Sequence, residues 1–215
     1  MIRERRLIRD SVKHLVSAAE ASVDDLKSGL VEQEPHLTDR MLGRIAQAMD
    51  GYKTKGVTWT AKTLTDHGPH TQEKVYGADF VGVLEIDVPG YKVKKGFLAQ
   101  AKLVSSVSGI MRRSEFSRMM GQCEQMLDLS PSSYVFYQSP NGIRVIPAVA
   151  VLAASGPEVA FNPEGLYSRK MSLFYEEHFE CFIGDRRISE PSEKTLRELH
   201  ARYLLSLAAR TEQRR

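Results

Sequence analysis

Apolar residues recur at helical spacing in two segments at the start of the chain. Between residues 3 and 30 they return every three to five positions, with charged residues between them, which predicts an amphipathic helix. A second helix is predicted over 34–49, where one stripe consists of Leu37, Met41, Ile45 and Met49. Asp50-Gly51 is typical of the end of such a helix, because glycine is favoured just after a helix C-terminus.

The pattern then changes to that of strands. Residues 56–65 are rich in β-branched and aromatic side chains, and two further apolar runs, 78–87 and 96–104, flank the turn Val88-Pro89-Gly90. After a predicted helix over 113–128, two strands at 134–137 and 143–147 are joined around Asn141-Gly142, a strong hairpin signal. Residues 148–154 either extend the second strand or begin a short helix.

The last part of the chain is predicted to be irregular and then helical. A helix is expected near 168–179 and another over 191–209, opened by Pro191-Ser192-Glu193. Aromatic residues of this part either pack in the core, which is the simpler reading, or bind a regulatory ligand or partner: Tyr167, Phe174, Tyr175, Phe179 and Phe182. The order of elements indicates an α/β protein with a mixed sheet and helices on its faces.

Composition narrows the class of protein. A chain of 215 residues suits one domain with extensions, although two small domains are possible, and 42% apolar residues suffice for a packed core. A net charge of +3 does not by itself require a nucleic-acid partner. Cys123 and Cys181 belong to no CxxC or Cys/His cluster, so we expect reduced thiols rather than structural zinc.

The same reading predicts a cytoplasmic protein without membrane segments. Four of the first six residues are charged and no apolar h-region follows them, which argues against a signal peptide. No apolar run approaches the roughly 18–20 residues that a membrane helix needs.

Candidate chemistry lies on two neighbouring predicted strands. Asp79 follows Gly77-Ala78 at the start of one strand, and Gln100 and Lys102 lie two residues apart on the next, so both point to the same face. A lysine in an apolar strand is costly unless it has a partner. A carboxylate, an amide oxygen and an ammonium at one sheet edge suit a divalent metal and a phosphate, as phosphodiester hydrolysis requires.

Structural readings of the same residues stay open. Asp79 could be a turn or capping residue, and Lys102 could extend its ammonium to the sheet edge without a functional role. The competing acids Glu85 and Asp87 lie near the Val88-Pro89-Gly90 turn and are expected to face solvent.

Two helical residues extend the candidate set. Glu34 shares the apolar stripe of its helix, so its carboxylate either caps the helix start before Pro35 or reaches over the sheet to a metal; Glu32 is the fallback. On the helix over 113–128, Arg118, Gln122 and Gln125 form a polar stripe. That stripe is either solvated, or Gln122 orients a water or binds the scissile phosphate.

Other polar groups give weaker signals. A basic cluster either contacts the phosphate backbone or is a solvated surface: Lys92, Lys94, Lys95, Arg112 and Arg113. His67 and His70 are read as surface histidines, because no further ligand completes a metal set around them.

The chain resembles the PD-(D/E)XK nuclease superfamily, which has the restriction-endonuclease-like fold. The residues that carry this resemblance are Glu34, Gly77-Ala78-Asp79, Gln100-Ala101-Lys102 and Gln122. The resemblance covers about residues 30–150 and implies one nuclease-like domain, with an N-terminal helix over 1–29 and a C-terminal helical extension over 151–215. Two positions depart from the family pattern. The triplet begins with Gln100, a neutral and weaker ligand for hard cations, and Ala78 stands where the family name has proline.

The resemblance implies a Mg²⁺- or Mn²⁺-dependent DNA endonuclease. Asp79, Gln100 and Glu34 would hold the metal, Lys102 would stabilise the attacking hydroxide or the charge on phosphorus, and the products would carry 5′-phosphates. A homodimer would cut both strands of a duplex, in a bacterial or phage restriction, defence or repair role. An activating partner protein or signal is a further expectation.

Two other functions are compatible with the same residues. Gln100 favours a catalytically degenerate module that binds nucleic acid or a partner protein. An RNase on the same scaffold is the third reading, because the metal chemistry does not depend on the 2′-hydroxyl.

Overall fold

Two helices open the fold. The computed structural model describes residues 5–30, 33–65, 77–104, 111–154, 160–161 and 167–211. Helix α1 spans Arg5–Lys27 and helix α2 spans Glu34–Met49, and both bury their predicted apolar stripes. The second predicted helix is confirmed with both its bounds, and the first ends three residues before the predicted end.

Four strands follow: β1 Lys53–Thr54, β2 Val57–Thr65, β3 Ala78–Val88 and β4 Tyr91–Leu103. Strand β4 begins five residues before its predicted start. Its first half is polar on one side, where Lys92 and Lys94 lie opposite Asp87 and Glu85 and form ion pairs of 2.9 and 3.5 Å with them. Cross-strand pairs of opposite charge extend the hairpin beyond its apolar part.

The middle of the chain follows the prediction closely. It comprises β5 Met111–Arg112, α3 Arg113–Leu129, β6 Ser133–Ser139, β7 Gly142–Pro147 and α4 Ala148–Ala153. The hairpin at Asn141-Gly142 is confirmed, and helix is the correct one of the two readings left open for 148–154. Next come β8 Ala160–Phe161, β9 Arg169–Lys170 and α5 Met171–Phe179, which confirms a helix near 168–179.

The prediction of a helix over 191–209 is wrong. A short helix, α6, spans Glu193–Glu198, and a long strand, β10, spans Ala201–Thr211. Nearly every residue from Tyr203 to Leu207 is apolar and all are buried, because β10 lies inside the sheet and helices cover both of its faces. Such a continuous apolar run does not distinguish a buried strand from a helix. The expectation that 151–215 is a helical extension is therefore wrong for this strand.

Eight strands form one mixed sheet in the order β1-β2-β10-β3-β4-β6-β7-β9, and β5 pairs separately with β8. The pairs β10–β3 and β4–β6 are parallel, and the other pairs are antiparallel. The predicted class, α/β with a mixed sheet flanked by helices, is confirmed. The sequence pattern did not predict that β10 lies between β2 and β3.

Each face of the sheet carries its own apolar core. Helices α1, α2 and α5 pack on one face, and α3, α4 and α6 pack on the other. In the first core the Phe97 ring lies 5.0 Å from Phe174 and 6.0 Å from Phe80. Of the C-terminal aromatic residues, Phe174, Tyr175 and Phe179 are buried as expected, whereas Tyr167 and Phe182 are exposed.

Within the described ranges, no helix is long and apolar enough to cross a membrane. Cys123 is buried and Cys181 is partly buried, and both are free thiols.

Candidate functional site

Asp79 lies at the start of β3, where the regular alternation of the strand is interrupted. Residues two apart in a strand normally face the same side, yet Ala78 packs in the core beneath α3 and Phe80 in the core beneath α2. The Asp79 carboxylate turns toward β4, where its Oδ2 accepts hydrogen bonds from the Ala101 N–H at 2.8 Å and from the Gln100 amide.

Gln100 lies inside the sheet with only 1% of its surface exposed. Its Nε2 donates to Asp79 and to the Ala101 carbonyl oxygen, at 3.3 Å for the latter. Its Oε1 is buried and receives no hydrogen bond in the described part of the chain. Because a buried polar atom without a partner is costly, this oxygen marks a position where a ligand would be stabilising.

Glu34 connects the start of α2 to the end of β4. Its Oε1 lies 3.3 Å from Lys102 Nζ, and its Oε2 accepts a 2.9 Å hydrogen bond from the Leu103 N–H. Of the two readings left open, the helix cap is not observed, because α2 begins without a side-chain cap hydrogen bond and the Glu34 carboxylate contacts β4 instead; its reach to a metal stays a prediction. The Glu34 carboxylate also gives Lys102 a partner, which offsets the cost of placing a lysine side chain of which only 13% is exposed.

Gln122 lies on α3, beside this sheet end but outside the cluster. Its Oε1 is buried and without a hydrogen-bond partner among the described residues, so this residue does not belong to a fully solvated face. One turn farther along, the Gln125 Cβ lies 3.2 Å from where a Cβ on Gly77 would stand. Arg118 is exposed. The structure therefore brings Glu34, Asp79, Gln100 and Lys102 together and leaves Gln122 as a neighbour.

Burial dominates the electrostatics of Asp79. The pKa of its carboxyl is raised to about 6, chiefly by desolvation; the nearby Glu34 charge also raises this pKa, whereas Lys102, the Ala101 N–H and Arg202 lower it. The same Lys102 charge acts on the Cys123 thiol of α3, whose pKa burial raises to about 12. Lys102 therefore lies in the electrostatic range of both flanking helices.

Two residues near the site were not predicted from the sequence. Arg202 at the start of β10 lies beside Asp79, and no signal could have found it while this segment was read as a helix. Gln138 on β6 is opposite Leu103, fully buried, with its Oε1 unpaired among the described residues. A glutamine inside the apolar run 134–138 was a visible signal for it.

The donor set fits a hard divalent cation. Two carboxylates and the unpaired Gln100 Oε1 supply oxygen ligands, which Mg²⁺ and Mn²⁺ prefer. Considering only the described residues, no three His, Cys, Asp or Glu side chains form a group that could hold a metal ion. A metal at this place would therefore depend on the amide of Gln100 and on the waters that Mg²⁺ usually retains.

The three lysines of the predicted basic cluster lie away from the site. Lys92 is ten residues from Lys102 along β4, which is about 33 Å in a strand. Lys92 and Lys94 are in ion pairs, and Lys95 is buried, where it donates to the Ile183 carbonyl at 2.7 Å. The competing acids Glu85 and Asp87 are the partners of these lysines, at the far end of β3. For Lys92 and Lys94 the solvated-surface reading agrees with the structure better than the phosphate-binding one, whereas the buried Lys95 fits neither reading.

For the remaining candidate residues, the structure describes no contact with the site. Arg113 is exposed at the start of α3, and the side chain of Arg112 is outside the described set. Glu32, His67 and His70 also lie outside the described residues.

Comparisons of the chain with protein-family models, with curated proteins and with solved structures found no match.

Proposed function

We propose that the chain is a metal-dependent endonuclease of the restriction-endonuclease-like, PD-(D/E)XK type that hydrolyses phosphodiester bonds in DNA. One observation carries the proposal: Glu34, Asp79, Gln100 and Lys102 converge at one end of the sheet from three separate elements. The buried and unpaired Gln100 Oε1 adds support, because it lacks the partner that a bound cation would supply.

The side chains have separate tasks in this mechanism. Asp79, Gln100 and Glu34 would hold Mg²⁺ or Mn²⁺, which when bound polarises the phosphate and lowers the pKa of a water. Glu34 would exchange its contact with Lys102 for this role. The released Lys102 ammonium would then stabilise the attacking hydroxide or the charge that develops on phosphorus.

The biological setting proposed for this activity rests on the family resemblance. A restriction, defence or repair nuclease of bacteria or phages would act on duplex DNA as a homodimer, in the cytoplasm. A partner protein or a signal would activate the nuclease if the isolated chain is inactive.

A plasmid cleavage assay tests the proposal. Wild type should nick or linearise supercoiled plasmid with Mg²⁺ or Mn²⁺ and not with EDTA. Asp79→Asn and Lys102→Met should each reduce the rate by roughly 10²-fold or more, since each removes a charge at the reacting phosphate. Matched controls on the same two strands are Asp87→Asn and Lys94→Met, because both residues are in surface ion pairs at the far end of the sheet.

The controls decide the interpretation. Activity that survives in both site variants would come from a contaminant or from another site, and the proposal would be wrong. Equal losses in the site and control variants would also contradict it, since the far end of the sheet has no role in the mechanism.

A binding module without catalysis is the second candidate. Among the described residues, the cluster holds only two carboxylates, with an amide where the family motif has an acid, and this favours the binding module. Folded wild type that binds DNA in a salt-dependent way, yet cleaves neither DNA nor RNA with any divalent metal, would support this function. Cleavage of RNA alone would identify an RNase on the same scaffold.

A further inference from the structure

Strand β10 brings an arginine to the candidate site from outside the elements that carry the motif. It runs parallel to β3, with Ala201 opposite Ala78 and Tyr203 opposite Phe80. Arg202 therefore lies directly beside Asp79, and neighbouring strands are about 4.8 Å apart. The Arg202 charge favours the ionised form of the Asp79 carboxyl, as expected from this proximity.

Both strands lose their regular alternation at this paired position. Ala78 and Ala201 pack in the core beneath α3, whereas Phe80 and Tyr203 pack in the core on the opposite face. Residues two apart would share a face in a regular strand, so the break falls at Asp79 and Arg202 together. Arg202 is exposed although both its chain neighbours are buried. The local backbone thus presents this guanidinium to solvent at the site.

The guanidinium is available for an anion. Its carbon lies 5.1 Å from the centre of the Tyr203 ring, a contact that steadies the side chain, and its N–H groups donate no hydrogen bond to another described residue. No carboxylate of the described residues lies within ion-pair distance of Arg202. By contrast, Arg210 near the other end of the same strand pairs with Glu85 at 3.3 Å.

We infer that Arg202 binds a backbone phosphate of the nucleic acid beside the Asp79 carboxylate. Arginine matches a phosphate diester with two parallel N–H···O bonds, which lysine cannot reproduce. The inference rests on the proposed function and adds to it a phosphate-positioning residue from β10. A purely structural role is the competing explanation, in which Arg202 serves only as a counter-charge to Asp79.

Salt-dependent binding separates the two roles. Binding of a labelled DNA duplex is measured by fluorescence anisotropy in EDTA between about 50 and 200 mM salt. Each phosphate neutralised on B-DNA contributes about 0.9 to the slope of log K against log salt. Arg202→Gln should therefore lower the magnitude of the slope by about 0.9, and Arg210→Gln, the matched control, should leave it unchanged.

A lysine variant and steady-state kinetics sharpen the test. Arg202→Lys retains the charge, so it should preserve the slope while weakening binding, because the two-bond contact is lost. In cleavage with Mg²⁺, Arg202→Gln should raise KM by about tenfold or more relative to Arg210→Gln. A counter-charge role would change the unfolding free energy and leave the salt slope at the wild-type value.

The outcomes distinguish the inference from the proposal on which it rests. If wild type cleaves or binds DNA and Arg202→Gln has the slope and KM of Arg210→Gln, the Arg202 assignment alone is overturned. If folded wild type neither binds nor cleaves DNA or RNA, the proposed function fails and the assignment fails with it. Should Arg202→Gln not fold, Arg202→Lys still decides, since wild-type affinity and KM in that variant would exclude a two-bond phosphate contact.

Discussion

At the scale of single residues, the environment of Asp79 determines what its carboxylate can do. Burial raises the pKa of this group to about 6, from an ordinary value near 3.8. The native state therefore holds the proton more tightly than the unfolded chain does. Stability must then fall as the pH rises from about 4 to about 6, where the unfolded state binds fewer protons, and it must be constant above that range.

Asp79→Asn should remove this pH dependence. The amide is neutral and similar in shape to the carboxylate. In EDTA at pH 8 we therefore expect the free energy of unfolding of the variant to be about 1 to 3 kcal/mol higher than that of wild type. The difference should shrink below pH 6 and vanish only at about pH 3 and below, where the carboxyl is protonated in both states. Urea unfolding across this pH range measures it.

The matched control is Asp87→Asn at the other end of β3. Its carboxylate is 44% exposed and is paired with Lys92, so its change in stability should stay within about 0.5 kcal/mol. An Asp79→Asn variant that is less stable than wild type at pH 8 would contradict the burial argument.

At the scale of elements, the part of β4 before its pairing with β6 illustrates how a close approach of backbones limits the sequence. Gly96 exchanges two backbone hydrogen bonds with Asp185, at 2.8 and 2.9 Å. A Cβ on Gly96 would stand 2.5 Å from the Gly82 carbonyl oxygen and 2.9 Å from that of Ile188. Backbone atoms cannot yield as a flexible side chain can, so glycine is required here.

Gly96→Ala should destabilise the protein by about 1 to 3 kcal/mol, because the added methyl group forces the chain around residues 185–188 away from β4. Denaturant unfolding measures the free energy. Hydrogen exchange should show a faster Asp185 amide, since its bond to the Gly96 carbonyl would be lengthened.

The matched substitution is Gly43→Ala on α2, which adds the same methyl group where nothing lies within 4 Å. It should stabilise the protein by about 0.5 to 1 kcal/mol, because alanine favours the helix. Equal effects of the two substitutions would show that space around Gly96 is not the limiting factor.

At the scale of the whole molecule, the site exists only when α2, β3 and β4 are packed together. Glu34, Asp79 and Gln100 are distant in sequence, and their contacts form across three elements. A cation that binds this set binds the folded state alone. Binding should therefore increase the free energy of unfolding by mass action.

Mg²⁺ should raise the melting temperature of wild type. At a hundred times its dissociation constant, the added stability is about 2.7 kcal/mol, which corresponds to about 5 to 10 °C for a chain of this size. Calorimetry at pH 8 with and without Mg²⁺ measures the shift. Asp79→Asn should lose most of it, and Asp87→Asn should keep it. A shift of the same size in Asp79→Asn would mean that Mg²⁺ binds elsewhere.

The sequence by itself determined most local elements, and it predicted which polar side chains lie together at the end of the sheet. Helical periodicity fixed α2, and apolar runs with turn residues between them fixed β3 and the β6–β7 hairpin. Alternation along β4 correctly gave Gln100 and Lys102 a common direction. These predictions succeeded because spacing along the chain decides which side chains share a face, whatever packs against it.

Tertiary structure decided which segments became neighbours. The run from Tyr203 to Leu207 suits a helix or a buried strand, and only its insertion between β2 and β3 settled the choice. That insertion also brought Arg202 to Asp79. In the same way, the packing of α2 against the sheet makes Glu34 the partner of Lys102. The length of β4 separates Lys92 from the site. Which distant segments pair depends on how all the elements pack together in the core. Local sequence patterns do not specify which of the competing pairings is the most stable.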